Sequence, residues 1–152
     1  MPKQDIIVCA VDGSDASKTA AKWAANTAVK RGIPLRLVSS YSMPQFLYAE
    51  GMVPPQELYE DLEAETLEKI EEAKKVAIDY MPDVDVSHQI EEGSPIDMLL
   101  DLSEQCTMIV MGSRGLGGLS GMVMGSVSAA VVSHASCPVV VVREDNHVTE
   151  ET

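Results

Sequence analysis

Three stretches of this sequence, 6–11, 108–111 and 139–142, are apolar without interruption, the pattern of strands buried on both faces. Such strands need cover above and below, and the chain supplies it in helix-like segments between them. The run 6–11 ends at Asp12-Gly13-Ser14. Residues 16–31 then carry Ala20, Trp23, Ala24, Thr27 and Ala28 on one stripe, and Gly32 supplies the stop. Residues 35–40 read as a second strand. Pro44, Gly51, Pro54 and Pro55 make 41–55 too irregular for one continuous element. A second helix over about 55–80 sets Leu58, Leu62, Leu67, Ile70, Ala73, Ala77 and Tyr80 at helical spacing before Pro82 ends it. A third strand alternates through Val84, Val86, His88 and Ile90. Ser94 is placed as the cap of a third helix, with Pro95 at its first position and an end near Glu104. After 108–111, a glycine-rich loop over 112–125 leads into a fourth helix, 126–135, and then the fifth strand, 139–142.

Five alternations of strand and helix predict an α/β fold: an open parallel five-stranded sheet, doubly wound, with helices on both faces. Right-handed crossovers narrow the topology to strand order 3-2-1-4-5, a Rossmann-like arrangement. Winding reverses between strands one and four, and ligands of such sheets bind there, outside the carboxyl ends of the strands. Asp12-Gly13-Ser14 is thereby expected across a crevice from Gly112-Ser113-Arg114-Gly115. Residues 1–143 read as one domain and 144–152 as an acidic, flexible tail.

The formal net charge of -13 argues against a nucleic-acid partner, because such binding draws on Lys and Arg neutralising phosphates. Nine acids in 57–79 read as the solvated face of the second helix. No apolar run approaches the roughly 20 residues needed to span a bilayer. The opening residues lack the apolar stretch of a secretory signal, so a cytoplasmic protein is expected. Cys9, Cys106 and Cys137 are far apart in sequence and read as three reduced thiols. His88, His134 and His147 are equally scattered and make no metal-ligand cluster.

In a chain this acidic an anionic ligand must be held locally, by backbone N–H groups and helix ends. The segment 112–125 is suited to that task. Its six glycines in fourteen positions are entropically expensive to order, and they let a backbone approach an oxyanion with no Cβ in the way. Gly125 and Ser126 open the fourth helix, whose N-terminus carries partial positive charge and free donors. No Lys follows Gly125, so this is not a Walker A loop. Ser120 stands where a dinucleotide fingerprint needs its third glycine, and the loop leaves strand four rather than strand one.

The spacing Gly112-x2-Gly115-x9-Gly125-Ser126 resembles that of nucleotide-binding universal stress proteins. The resemblance runs along nearly the whole chain: the strand ending in Asp12-Gly13-Ser14, the Gly93-x-Pro95 turn, the run Ile109-Val110-Met111-Gly112 and the ending Cys137-Pro138-Val139. It implies ATP as ligand, with Ala10 and Asp12 beside the base and the backbone at the end of strand two, at Ser40, reading the adenine edge. Ser40 stands where a branched apolar residue is common in that family. By the same carry-over Gly112, Gly115, Gly125 and Ser126 hold ribose and phosphates. Position in the loop adds Ser113 and Arg114. The Arg114 guanidinium either meets a terminal phosphate or points into water. Asp12 also has a plain reading as the cap of its turn. Mg²⁺ would be brought mainly by the phosphates, since one carboxylate lies near the crevice.

Three uses of such a site are distinguished. In the first, ATP sets the shape or assembly of a stress-response regulator or adaptor. The second is an enzyme, either a slow ATPase or an adenylate-forming transferase, with AMP or cyclic AMP as alternative ligands of the site. The third is a scaffold dimer without nucleotide, which the glycine loop argues against. The loop holds no Lys and no His, and no second carboxylate is expected near it, so efficient hydrolysis is not expected. Segment 41–55 leaves strand two beside the crevice and is expected either to cover the nucleotide or to pack on the second helix or a partner. Strand five, with Val139, Val140, Val141 and Val142, is an apolar sheet edge, and such edges pair. A homodimer through it is expected, with coverage by the tail as the alternative.

Overall fold

The computed structural model describes residues 3–113 and 124–143; Arg114, Gly115 and the tail 144–152 lie outside them. Ten elements follow in order: β1 (Ile7–Ala10), α1 (Asp15–Arg31), β2 (Leu35–Tyr41), α2 (Gln45–Ala49), α3 (Gln56–Tyr80), β3 (Val86–Glu92), α4 (Pro95–Ser103), β4 (Met108–Gly112), α5 (Ser126–His134) and β5 (Val139–Val142). The strands form one parallel sheet in the order β3-β2-β1-β4-β5. This is the doubly wound order the alternation predicts.

Alternate residues of each central strand enter opposite cores, which is why these segments are apolar throughout. On one face Ile7, Cys9, Leu35, Leu37, Met108, Val110 and Val142 pack with Ala20, Ala24 and Ala28 of α1 and Ile70, Ala73 and Ala77 of α3. On the other, Ile6, Val8, Val38, Ile109 and Met111 pack with Met98 and Leu99 of α4 and Val131 of α5. Ile7, Leu35, Leu37, Ile70 and Ile109 are wholly buried, each contributing roughly 2 kcal/mol of apolar transfer. Burial pushes the Cys9 thiol up to about 12, so this sulfur is a protonated, small apolar filler.

Local chemistry sets where the helices start and stop. Ser14 caps α1 by accepting from Ser17 N at 3.1 Å, and Gly32, at φ 68°, ends it. Ser94 caps α4 by accepting from Asp97 N at 3.3 Å, with Pro95 beginning the helix. Two details depart from the sequence reading. In α1 the alanines, including Ala21 and Ala25, are fully buried and Trp23 sits at the border of the stripe, because small side chains let this helix lie close to sheet and α3 alike. In α3 only Thr66, Ile70, Ala73 and Ala77 are buried, whereas Leu67 and Tyr80 are exposed. The helix thus covers the sheet with its C-terminal half and carries its acids outward. Among the described residues no helix is long and apolar enough to cross a membrane.

Candidate functional site

The C-terminal end of β1 turns sharply at Asp12-Gly13-Ser14, and the turn is closed by its own side chains. Asp12 Oδ1 accepts from Ser14 N at 2.9 Å and from Ser14 Oγ. Ser14 Oγ accepts from Ser17 N, and Ser17 Oγ donates to Ser14 O at 2.9 Å. The plain reading of Asp12 as a turn-former is therefore realised, and it occupies one carboxylate oxygen. Gly13 has φ +87°, a conformation that favours glycine. Over it lies the stem of Lys69 from α3, with Cγ and Cδ each 3.1 Å and Cε 3.4 Å from where a Gly13 Cβ would stand. Its ammonium is one bond beyond Cε.

Beside this turn, β4 ends at Gly112, packed against the first turn of α1. A Cβ there would meet Ala16 Cβ at 2.8 Å and Ala16 C at 2.9 Å. The glycine at this position is required by helix–strand packing, which is a different reason from the close approach of an anion that its place in the loop suggests. Gly112 O accepts from Ser128 Oγ at 2.8 Å, tying β4 to α5. Ser113 is buried, donates its N–H to Val142 O at 2.9 Å and accepts from Gly125 N at 2.7 Å. It acts as the strap that brings both ends of the glycine segment together.

Gly125 is the N-cap of α5, in extended backbone that any residue adopts, φ -78° and ψ 175°. What its lack of a side chain does is leave the helix start without a cap of its own: among the described residues no side chain caps the first-turn N–H groups, in contrast to α1 and α4. Ser126 is the first residue of that open turn.

The end of β2 completes the wall. Val38 O accepts from Val11 N at 2.8 Å on the β1 side, whereas Leu35 N and Tyr41 O bond toward β3, to Asp85 O and from Gly93 N. By alternation Ser40 turns its main-chain N–H and C=O toward β1, one step beyond where β1 has turned away. Among the described residues no backbone group of the 11–14 turn meets them. Ala10 lies level with Val38. Ala10, Asp12, Ser40, Gly112, Ser113, Gly125 and Ser126 are thus brought to one end of the sheet. Arg114 and Gly115 lie outside the described residues. Sequence reasoning missed Lys69, because nothing in an acid-rich helix marks which lysine will cross a turn more than fifty residues away.

Segment 41–55 contains the short helix α2 and reaches α3 through a Tyr48–Tyr59 hydroxyl pair at 3.2 Å, which pushes Tyr59 up to about 12. The expectation that it packs on the long helix is met at that point. Met43 and Pro54 anchor it as buried residues, while Phe46 and Val53 stand 64% and 88% exposed.

The sequence pattern of the universal stress protein family matches residues 4–143. Universal stress protein Rv1996 of Mycobacterium tuberculosis is 32% identical over 154 residues, spanning 91% of this chain and 48% of that protein. The chain spans about half the length of the curated relatives it matches. Among solved structures, a universal stress protein in complex with cAMP aligns at a TM-score of 0.70 and 23% identity, over 91% of this chain and 96% of the other. One from Archaeoglobus fulgidus in complex with dAMP aligns at 0.63 and 24%, over 93% of this chain and 99% of the other.

Proposed function

The chain belongs to the universal stress protein family, and from that premise we propose that it binds an adenine nucleotide, ATP foremost, at the carboxyl ends of β1 and β4. The observation that carries this reading is the open start of α5 at Gly125, set beside the closed turn of β1 where the sheet changes its winding. First-turn N–H groups that no described side chain caps, together with the helix dipole, suit a polyphosphate in a chain of net charge -13, where few cations are at hand. The main-chain groups of Ser40, without a backbone partner on the β1 side among the described residues, suit the donor–acceptor edge of adenine, a backbone contact that the Ser40 side chain does not interrupt. The second Asp12 oxygen, without a hydrogen bond among the described residues, is left for base or ribose. Lys69 adds a cation at the rim. Gly115, as the resemblance implies, and Arg114, from its position in the loop, remain part of the proposal, with Mg²⁺ arriving with the phosphates. Other members of the family are bound to cAMP and dAMP, which supports adenine as the base and leaves phosphate number to be measured.

We infer binding without efficient turnover. Residues 112–126 contain no Lys, His, Asp or Glu to position water or stabilise a leaving phosphate. The reading is of a cytoplasmic regulator or adaptor whose nucleotide state a partner senses, with β5 pairing two copies edge to edge. β5 is the sheet edge, and Val139, Val140 and Val141 are only half-buried. Mass spectrometry of the purified protein, followed by calorimetric titration with ATP, AMP and cyclic AMP, tests the site. A co-purified or titrating adenine nucleotide is expected, and heat-free titrations with no bound nucleotide would overturn it. Light scattering at micromolar concentration tests the dimer, which a monomer mass would refute.

A further inference from the structure

The opposite end of the sheet, where β4 and β5 begin, holds an arrangement that nucleotide binding does not use. Cys106 lies in the turn between α4 and β4, and Cys137 in the turn between α5 and β5. Although 31 positions apart in sequence, their Sγ atoms are 3.7 Å apart. Both are free thiols. The turns that carry them are fastened to each other, Ser136 N donating to Ser103 Oγ at 2.9 Å and Ile109 N to Pro138 O at 3.0 Å, and Cys106 N is held within its own turn by Leu102 O at 3.1 Å. With both backbones held, side-chain rotation has only to close the gap from 3.7 Å to a bonded separation of about 2.05 Å. Cys106 is buried against the α4–α5 core, and Cys137 is partly exposed beside it.

We propose that Cys106 and Cys137 are an oxidation site at which a hydroperoxide drives formation of an intramolecular disulfide. The exposed Cys137 sulfur attacks one peroxide oxygen, the O–O bond breaks, and hydrogen peroxide yields Cys137 sulfenic acid and one water. The Cys106 sulfur then attacks the sulfenic sulfur. The S–S bond forms, the S–O bond breaks, and the departing hydroxide takes the Cys106 proton as a second water. In sum, two thiols and one peroxide become one disulfide and two waters, the sulfurs oxidised and the peroxide oxygens reduced. Burial, and then the neighbouring Cys137, push the Cys106 thiol up to about 12, so it waits protonated as the resolving partner. Cys9 is wholly buried in the other core and takes no part. The bond would close a loop containing β4, the glycine segment and α5, whether or not nucleotide is bound.

The test uses the full chain, treated with hydrogen peroxide and then N-ethylmaleimide. Two of the three thiols should escape alkylation, the intact mass before alkylation should fall by two hydrogens, and the chain should stay unlinked to others on a non-reducing gel. Trypsin should release peptide 76–114 joined to 115–143, separable by dithiothreitol. Cys9→Ser should give the same product, whereas Cys137→Ser, at a partly exposed position that tolerates the change, should not. In Cys106→Ser, dimedone should trap Cys137 as sulfenic acid. The oxidised protein should melt higher by on the order of 5 °C, since a loop of this length is closed in the unfolded chain. Three alkylated thiols after peroxide, a link through Cys9, a link only between chains, or a linked form that melts below the reduced one would each overturn the proposal.

Discussion

Two helix N-termini meet at the crevice, and they are built in opposite ways. At α1, Ser14 caps the helix by accepting from Ser17 N, and Asp12 locks Ser14, so the start of the helix carries its own side-chain acceptor. At α5 the capping position is Gly125, and among the described residues the first turn has no side-chain acceptor. The same backbone chemistry therefore gives a capped turn on one side and, on the reading proposed above, an anion site on the other. Closing α1 holds the β1 turn in place; leaving α5 open forgoes the stability a cap would supply, which a bound anion can restore.

The strongest way to break this contrast is to close the open helix. Gly125→Asp should weaken ATP binding about a hundredfold, roughly 3 kcal/mol, as a carboxylate takes the first-turn donors and repels phosphate. Its melting temperature should stay level or rise slightly, and calorimetry beside a thermal melt reads both. Next, Gly112→Ala should cost about 2 kcal/mol in urea unfolding, because its methyl would press on the Ala16 backbone and part α1 from β4. Opening the closed helix is milder. Ser14→Ala should destabilise the fold by about 1 kcal/mol while shifting ATP affinity much less than Gly125→Asp; equal losses of affinity would erase the distinction between the two termini. Smallest of all, Lys69→Met should weaken ATP binding about threefold and adenosine binding not measurably, as expected of a partly exposed cation near the phosphates. An equal loss for both ligands would assign Lys69 to packing over Gly13.

Much of this was legible in the residues. The unbroken apolar runs, the helix stop at Gly32 and the helix start at Ser94-Pro95 mark the alternation of strand and helix from which the strand order follows, since a strand buried on both faces admits no polar alternation. The turn at Asp12-Gly13-Ser14 and the start of α5 at Gly125-Ser126 were likewise readable from local chemistry. Less legible was the face each long helix turns inward. In α3, Leu67 fits the helical spacing as well as Thr66 does, and only the packing of α3 on α1 and the sheet decides that Thr66 is the buried one. The cysteines were misleading in isolation, because their sequence separation hides their contact.

The sequence by itself determined the parallel doubly wound sheet, the position of the crevice and the serine and glycine chemistry of the turns, because periodicity and capping act within a few residues along the chain. Tertiary structure alone decided that Gly112 answers to Ala16, that Lys69 crosses Gly13, and that Cys106 faces Cys137. Each of these contacts depends on how separate elements settle side by side once the cores are filled, and no local pattern encodes that registration.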